Sequence, residues 1–125
     1  MPGTARRRRS RYGIIGALVW AAILFWQSSS SGAGSFLGFL PAGSDKVLHA
    51  GAYSVLAALI TLATGNPVLG GLLAVGYGVT DEIHQSFVPG RFASVGDLVA
   101  DAIGAALGAG LVAYLVLRPE RAAIE

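Results

Sequence analysis

Pro67 to Val88 reads PVLGGLLAVGYGVTDEIHQSFV, and where its apolar run stops decides what kind of protein this is. The strictly apolar part, Val68 to Thr80, is only 13 residues long. A bilayer core of about 30 Å needs about 20 helical residues at roughly 1.5 Å each. Pro67 suits the first turn of a helix, where its missing N–H costs nothing. A helix that starts there and crosses a membrane must therefore run on through Asp81, Glu82, His84 and Gln85 to about Val88. That carries polar groups below the membrane surface, with Asp81 about 21 Å from the start of its helix.

The composition agrees with a membrane setting. Of 125 residues, 54% are hydrophobic and 13% charged, whereas about a quarter are charged in soluble proteins. The mean hydropathy is +0.62. Eighteen glycines point the same way, because transmembrane helices carry more glycine than soluble ones. Three further apolar runs, Tyr12 to Gln27, Val47 to Thr64 and Leu98 to Leu117, accompany the first. The expected fold is all-α, an integral membrane four-helix bundle with helices at about 12–27, 45–64, 67–88 and 95–117. A basic arm over 1–11 and a tail over 118–125 complete the chain. The sequence has no cysteine, which excludes disulfides, thiol nucleophiles and thiolate metal sites.

Charge sets the expected orientation. Arg6, Arg7, Arg8, Arg9 and Arg11 precede the first apolar run, and Arg118 and Arg121 follow the last. Placing both termini in the cytoplasm puts all seven inside and leaves only Lys46 and Arg91 outside, as the positive-inside rule favours. The basic arm beside a hydrophobic run reads as this topology signal, so nucleic acid is not an expected partner. Basic residues, a short apolar core and small residues also describe a cleavable signal peptide. Trp20 and Trp26 are bulky for one, and its removal would leave an odd number of spans, which favours an uncleaved anchor. Phe36, Leu37, Phe39 and Leu40 between the first two spans suit the membrane surface. The expected location is the inner (plasma) membrane, multi-pass.

Between Tyr12 and Leu117 the charged residues are Asp45, Lys46, Asp81, Glu82, Arg91, Asp97 and Asp101. In this topology all of them gather at the extracytoplasmic ends of helices two, three and four. At about 100° per residue, Asp45, Lys46, His49 and Tyr53 share roughly a 100° arc of helix two. Asp81, Glu82 and Gln85 share an arc of helix three, with His84 at its edge and Gly71 and Gly78 on the same side. On helix four Asp97 and Asp101 are one turn apart, and Gly104 and Gly108 continue their stripe. Small residues let helix backbones approach closely. The polar faces should therefore look inward, since a charge facing lipid costs about 2.5–3.5 kcal/mol even on lenient scales.

The motifs Asp45-Lys-Val-Leu-His49-Ala-Gly-Ala-Tyr53 and Asp81-Glu-Ile-His-Gln85-Ser-Phe87-Val-Pro89-Gly-Arg91-Phe-Ala-Ser94-Val-Gly-Asp97 are distinctive. Their order and spacing resemble the D-K-x-x-H-x-x-x-Y and D-E-x-x-Q-x-F-x-P-x-R-x-x-S-x-x-D signatures of the VanZ-like membrane protein family. The resemblance runs from Asp45 to about Gly108. The family usually has Asn where this chain has Asp101, so the charge pattern of its site does not transfer unchanged. What the resemblance implies is a link to resistance against glycopeptide antibiotics, the lipid-tailed teicoplanin type in particular.

Asp81, Glu82 and His49 are the candidate acid–base residues, because two adjacent carboxylates at this depth need cations or strong donors nearby. Asp45, Lys46, Tyr53, Gln85, Arg91, Asp97 and Asp101 are the candidate ligand-binding residues. Each also has a structural reading. Asp45 and Lys46 suit an ion pair at a helix start, Tyr53 a packed aromatic, Gln85 a support for Asp81, and His84 a structural contact. Ser94 to Asp97 reads as a capping box, and Arg91 as either an anion ligand or a partner of Asp97. His49, His84 and four carboxylates have the donor set of a mixed nitrogen–oxygen metal site, but no H-x-x-x-H or comparable spacing supports one. No metal or cofactor is expected. Three functions follow: binding of a membrane lipid or lipid-linked envelope ligand, a membrane-embedded enzyme acting on such a headgroup, or a small proton- or ion-coupled transporter. The last is disfavoured because the cytoplasmic half has no charged relay.

Overall fold

The computed structural model describes residues 2–29 and 44–125. Phe36, Leu37, Phe39 and Leu40 lie outside the described residues. The fold is all-α, with no strand among the described residues. Helix α1 is Pro2–Ser29, α2 is Ser44–Thr64, α3 is Pro67–Ser86 and α4 is Val95–Val112. A π-helical turn, Ala113–Leu117, leads without interruption into a short α5, Arg118–Ala122. Pro119 offers no N–H to Leu115 and its ring crowds that carbonyl, which accounts for the widened turn before it. At the other end of the chain α1 already begins at Pro2, so the five arginines occupy its first turns.

Among the described residues, three helical stretches are long and apolar enough to cross a membrane: α1, α2 and the continuous Val95–Ala122. The 20-residue α3 has the length, but Asp81, Glu82, His84 and Gln85 dilute its last turns. It can sit in a membrane only where other helices cover those groups.

The connections are short and their chemistry is local. Gly65 adopts φ +70°, the left-handed conformation that ends α2 without a Cβ penalty. Asn66 then caps α3, its side chain accepting from the amides of Val68 at 3.0 Å and Leu69 at 3.1 Å, with Pro67 in the first turn. Gly90, at φ +80°, makes the turn between α3 and α4. Ser94 caps α4, its hydroxyl accepting from the Asp97 amide at 3.2 Å.

Helix α2 is the element against which α1, α3 and α4 all pack, and α4 covers it most extensively. Small residues make that possible. A Cβ built on Gly104 would collide with the Ala50 carbonyl oxygen, and one on Gly108 with the Ser54 carbonyl oxygen. The two backbones therefore touch along a full turn. Gly70 of α3 lies equally tight against Thr61 and the Ala57 carbonyl of α2, whereas Gly71 makes only ordinary contact with Ala109. Hydroxyls and an indole staple α1 in place: Ser10 donates to the Ala63 carbonyl (2.6 Å), Trp20 to Ala52 (2.8 Å) and Tyr77 to Ala21 (2.6 Å). Arg9 of α1 pairs with Glu120 of α5, so both chain ends sit at one end of the bundle.

The interior is small and the exterior large. Ala57, Ala74, Ala105 and Ala109 are buried while Leu18, Trp26, Leu72, Leu107 and Leu111 are exposed. This inversion suits a solvent of lipid, where van der Waals packing rather than burial of bulk holds helices together. The close contact gives a direct test. Gly104→Ala should destabilise the bundle by about 1–3 kcal/mol, read as earlier unfolding in mild detergent. Gly110→Ala, at a position with nothing within 4 Å of the new methyl, should leave stability unchanged or raise it by up to about 1 kcal/mol.

Candidate functional site

The end of the bundle opposite the chain termini gathers the last turns of α1 and α3 with the first turns of α2 and α4. Four carboxylic residues are buried there: Asp81, Glu82, Asp97 and Asp101, the last with 0% exposure. A side chain of this kind is held by partners or it is expelled, so each partner matters.

The α2–α4 side carries a chain of contacts. Lys46 donates to Asp45 at 2.8 Å and to Asp97 at 2.5 Å. The other oxygen of Asp97 lies 3.5 Å from Nε2 of His49. On its far side His49 places Nδ1 2.8 Å from Oδ1 of Asp101. Positions 46 and 49, one turn apart on α2, thus meet positions 97 and 101, one turn apart on α4. The Gly104 contact sets this register, since Ala50 follows His49 and Gly104 lies three residues after Asp101.

Helix α3 contributes from the third side. Tyr53 of α2 is buried and its hydroxyl donates to Oδ2 of Asp81 at 3.1 Å. Glu82 accepts the backbone N–H of Ser94 through Oε2 at 2.9 Å. That contact revises the capping box read from Ser94 to Asp97. Ser94 does cap α4, but the reciprocal bond to its own amide comes from Glu82, because the Asp97 carboxylate is held by Lys46. Gly78, one turn before Glu82, leaves room for the Asp101 carboxylate, whose Oδ2 would lie 3.1 Å from an added Cβ.

Towards α1 the same end of the bundle contains a cavity of about 70 Å³. Its polar lining comprises His49, Tyr53, Asp81, Gln85 and Arg91, joined by Gln27 and Ser28 of α1. Leu24, Leu48 and Ala52, from the same α1 and α2, supply the apolar lining. His49 belongs to both this cavity and the α2–α4 chain of contacts. Asp45 stays at the exposed rim beside Lys46. His84 turns to α1, where Nε2 lies 2.8 Å from the Ser29 hydroxyl and the ring stacks on Phe25 with centroids 4.6 Å apart.

Gln27 and Ser28 have no place among the residues expected from sequence. Ser28 is 2% exposed and its hydroxyl has no hydrogen-bond partner among the described residues. The signal was slight: two polar residues closing an apolar run, at the end of the first span that matches the charged ends of the others.

Two substitutions probe these contacts. Tyr53→Phe removes the donor to buried Asp81 and should cost about 1–3 kcal/mol of stability, whereas Tyr114→Phe at an exposed position should stay within about 0.5 kcal/mol. Lys46→Met should lower the unfolding temperature by leaving Asp97 without its cation. Adding Asp97→Asn to it should recover part of that loss.

The VanZ/LLP1 family model matches residues 13–117, which contain all of these groups. No curated protein and no solved structure matches the chain. With its motifs carried on apolar helices long enough to span a bilayer, the chain belongs to the VanZ-like family of membrane proteins.

Proposed function

We propose that this protein lies in the plasma membrane with both termini in the cytoplasm and binds the polar group of a lipid-linked or cell-envelope ligand in the cavity at its extracytoplasmic end. The observation that carries this reading is the mixed lining of the cavity. Leu24, Leu48 and Ala52 line a space of about 70 Å³ together with Ser28, Asp81, Gln85 and Arg91. A water molecule takes about 30 Å³ of liquid, so the space suits one phosphate, carboxylate or hydroxyl-bearing group with its tail left among the helices. Ser28 offers a buried hydroxyl with no partner among the described residues, and the Arg91 guanidinium suits an anionic oxygen. The orientation follows from the arginines at the opposite end, which the positive-inside rule favours in the cytoplasm. Such a ligand agrees with the glycopeptide resistance, teicoplanin resistance in particular, that the family resemblance implies.

Native mass spectrometry of gently extracted protein tests this. The expected result is a retained envelope lipid or lipid-linked precursor, lost in Ser28→Leu, which fills the cavity without changing charge. Equal retention in wild type and Ser28→Leu would place the ligand elsewhere.

One observation favours a second reading, a membrane-embedded enzyme. His49 lines the cavity with its Nδ1 held by Asp101 at 2.8 Å, and Asp81, a second candidate acid–base group, lines the same cavity. Product formation from lipid extracts, abolished by Asp81→Asn with ligand still bound, separates the enzyme from the binding module.

A further inference from the structure

His49, Glu82 and Asp101 come from three helices, α2, α3 and α4, and each offers a ligand atom within 4.8 Å of the other two. The arrangement has the marks of a cation site beyond the gathering of acids. Nδ1 of His49 and Oδ1 of Asp101 are 2.8 Å apart. Neighbouring ligands on one ion, each about 2.0–2.2 Å from it, stand roughly 3 Å apart. Oε1 of Glu82 and Oδ2 of Asp101 are buried with no hydrogen-bond partner among the described residues. The two residues are 6% and 0% exposed, so water does not readily take the missing donor's place.

The remaining atoms are occupied in ways that leave these free. Oε2 of Glu82 is taken by the Ser94 amide, and Asp97 is held by Lys46. Nε2 of His49 faces that held carboxylate at 3.5 Å. A ligating histidine commonly directs its second nitrogen to a carboxylate, which fixes the ring and its tautomer. Lys46 is committed to Asp45 and Asp97, so it does not neutralise Glu82 and Asp101.

We propose that His49, Glu82 and Asp101 bind a divalent transition-metal ion, of the Zn²⁺ or Mn²⁺ type that accepts one imidazole nitrogen and two carboxylate oxygens. Asp97 is a positioning residue that orients His49. Three protein ligands leave at least one coordination position for water or a ligand group. Local spacing does not reveal such a site, because its three donors are 33 and 19 positions apart and only tertiary packing joins them. The inference rests on the α2–α3–α4 cluster and does not depend on what fills the neighbouring cavity.

The test uses the full chain in lipid nanodiscs, stripped with EDTA and titrated with Mn²⁺ alone. Bound ion is followed by electron paramagnetic resonance and counted after desalting. The expected result is about one Mn²⁺ per chain, displaced by Zn²⁺, with a raised unfolding temperature on loading. Glu82→Gln and Asp101→Asn should each weaken binding by tenfold or more, and Asp97→Asn by about tenfold. Glu125→Gln, at the far end of the chain, should leave it unchanged. Stripped wild type that binds no ion would overturn the site, whether or not any variant folds. So would Mn²⁺ held equally by wild type and folded Glu82→Gln. A lipid retained by protein that binds no added Mn²⁺ would leave the cavity reading standing and remove this one.

Discussion

The structure depends on the backbone contact between α2 and α4, where Gly104 and Gly108 lie against the carbonyls of Ala50 and Ser54. Neither glycine can carry a side chain without forcing the helices apart. The contact fixes distance and register together. Because Ala50 follows His49 and Gly104 closes the turn begun at Asp101, seating the glycines also seats the imidazole on the carboxylate. In lipid no hydrophobic effect drives helices together, so packing of small residues has to supply this precision.

The polar cluster does not explain itself as a stabilising device. Replacing a buried ionic group by well-packed apolar residues is often neutral or stabilising, and the interior here is otherwise alanine, glycine and a few larger side chains. Four buried carboxylic residues therefore raise the cost of the fold. Much of the local structure serves to limit that cost: Lys46 for Asp97, Tyr53 for Asp81, the Ser94 amide for Glu82. Asp101 and Glu82 each still present an oxygen with no donor among the described residues. His49 belongs both to the cluster of those two oxygens and to the lining of the cavity.

Much of the fold was legible because membrane helices announce themselves locally. The apolar runs, the Pro67 helix start and the Ser94 cap are all patterns within a few residues. The Gly104 and Gly108 stripe was legible for the same reason. What required the structure was every relation between helices. That Gly70 rather than Gly71 makes the tight contact on α3 depends on how the helix is rotated against α2. That Glu82 completes the Ser94 cap depends on Lys46 having taken Asp97. The share of α1 in the cavity, through Gln27 and Ser28, was obscured because its polar residues are uncharged and close a span rather than interrupt it. The gathering of His49, Glu82 and Asp101 has no local spacing to betray it.

The most direct test is a double-mutant cycle on His49→Gln and Asp101→Asn, measured by unfolding in micelles or bilayers. The α2–α4 register places these two side chains in contact at 2.8 Å. The expected coupling energy is about 0.5–3 kcal/mol, with the double variant losing less than the sum of the single losses. Strictly additive losses would mean that the residues do not touch, and that the register assigned to the two helices is wrong.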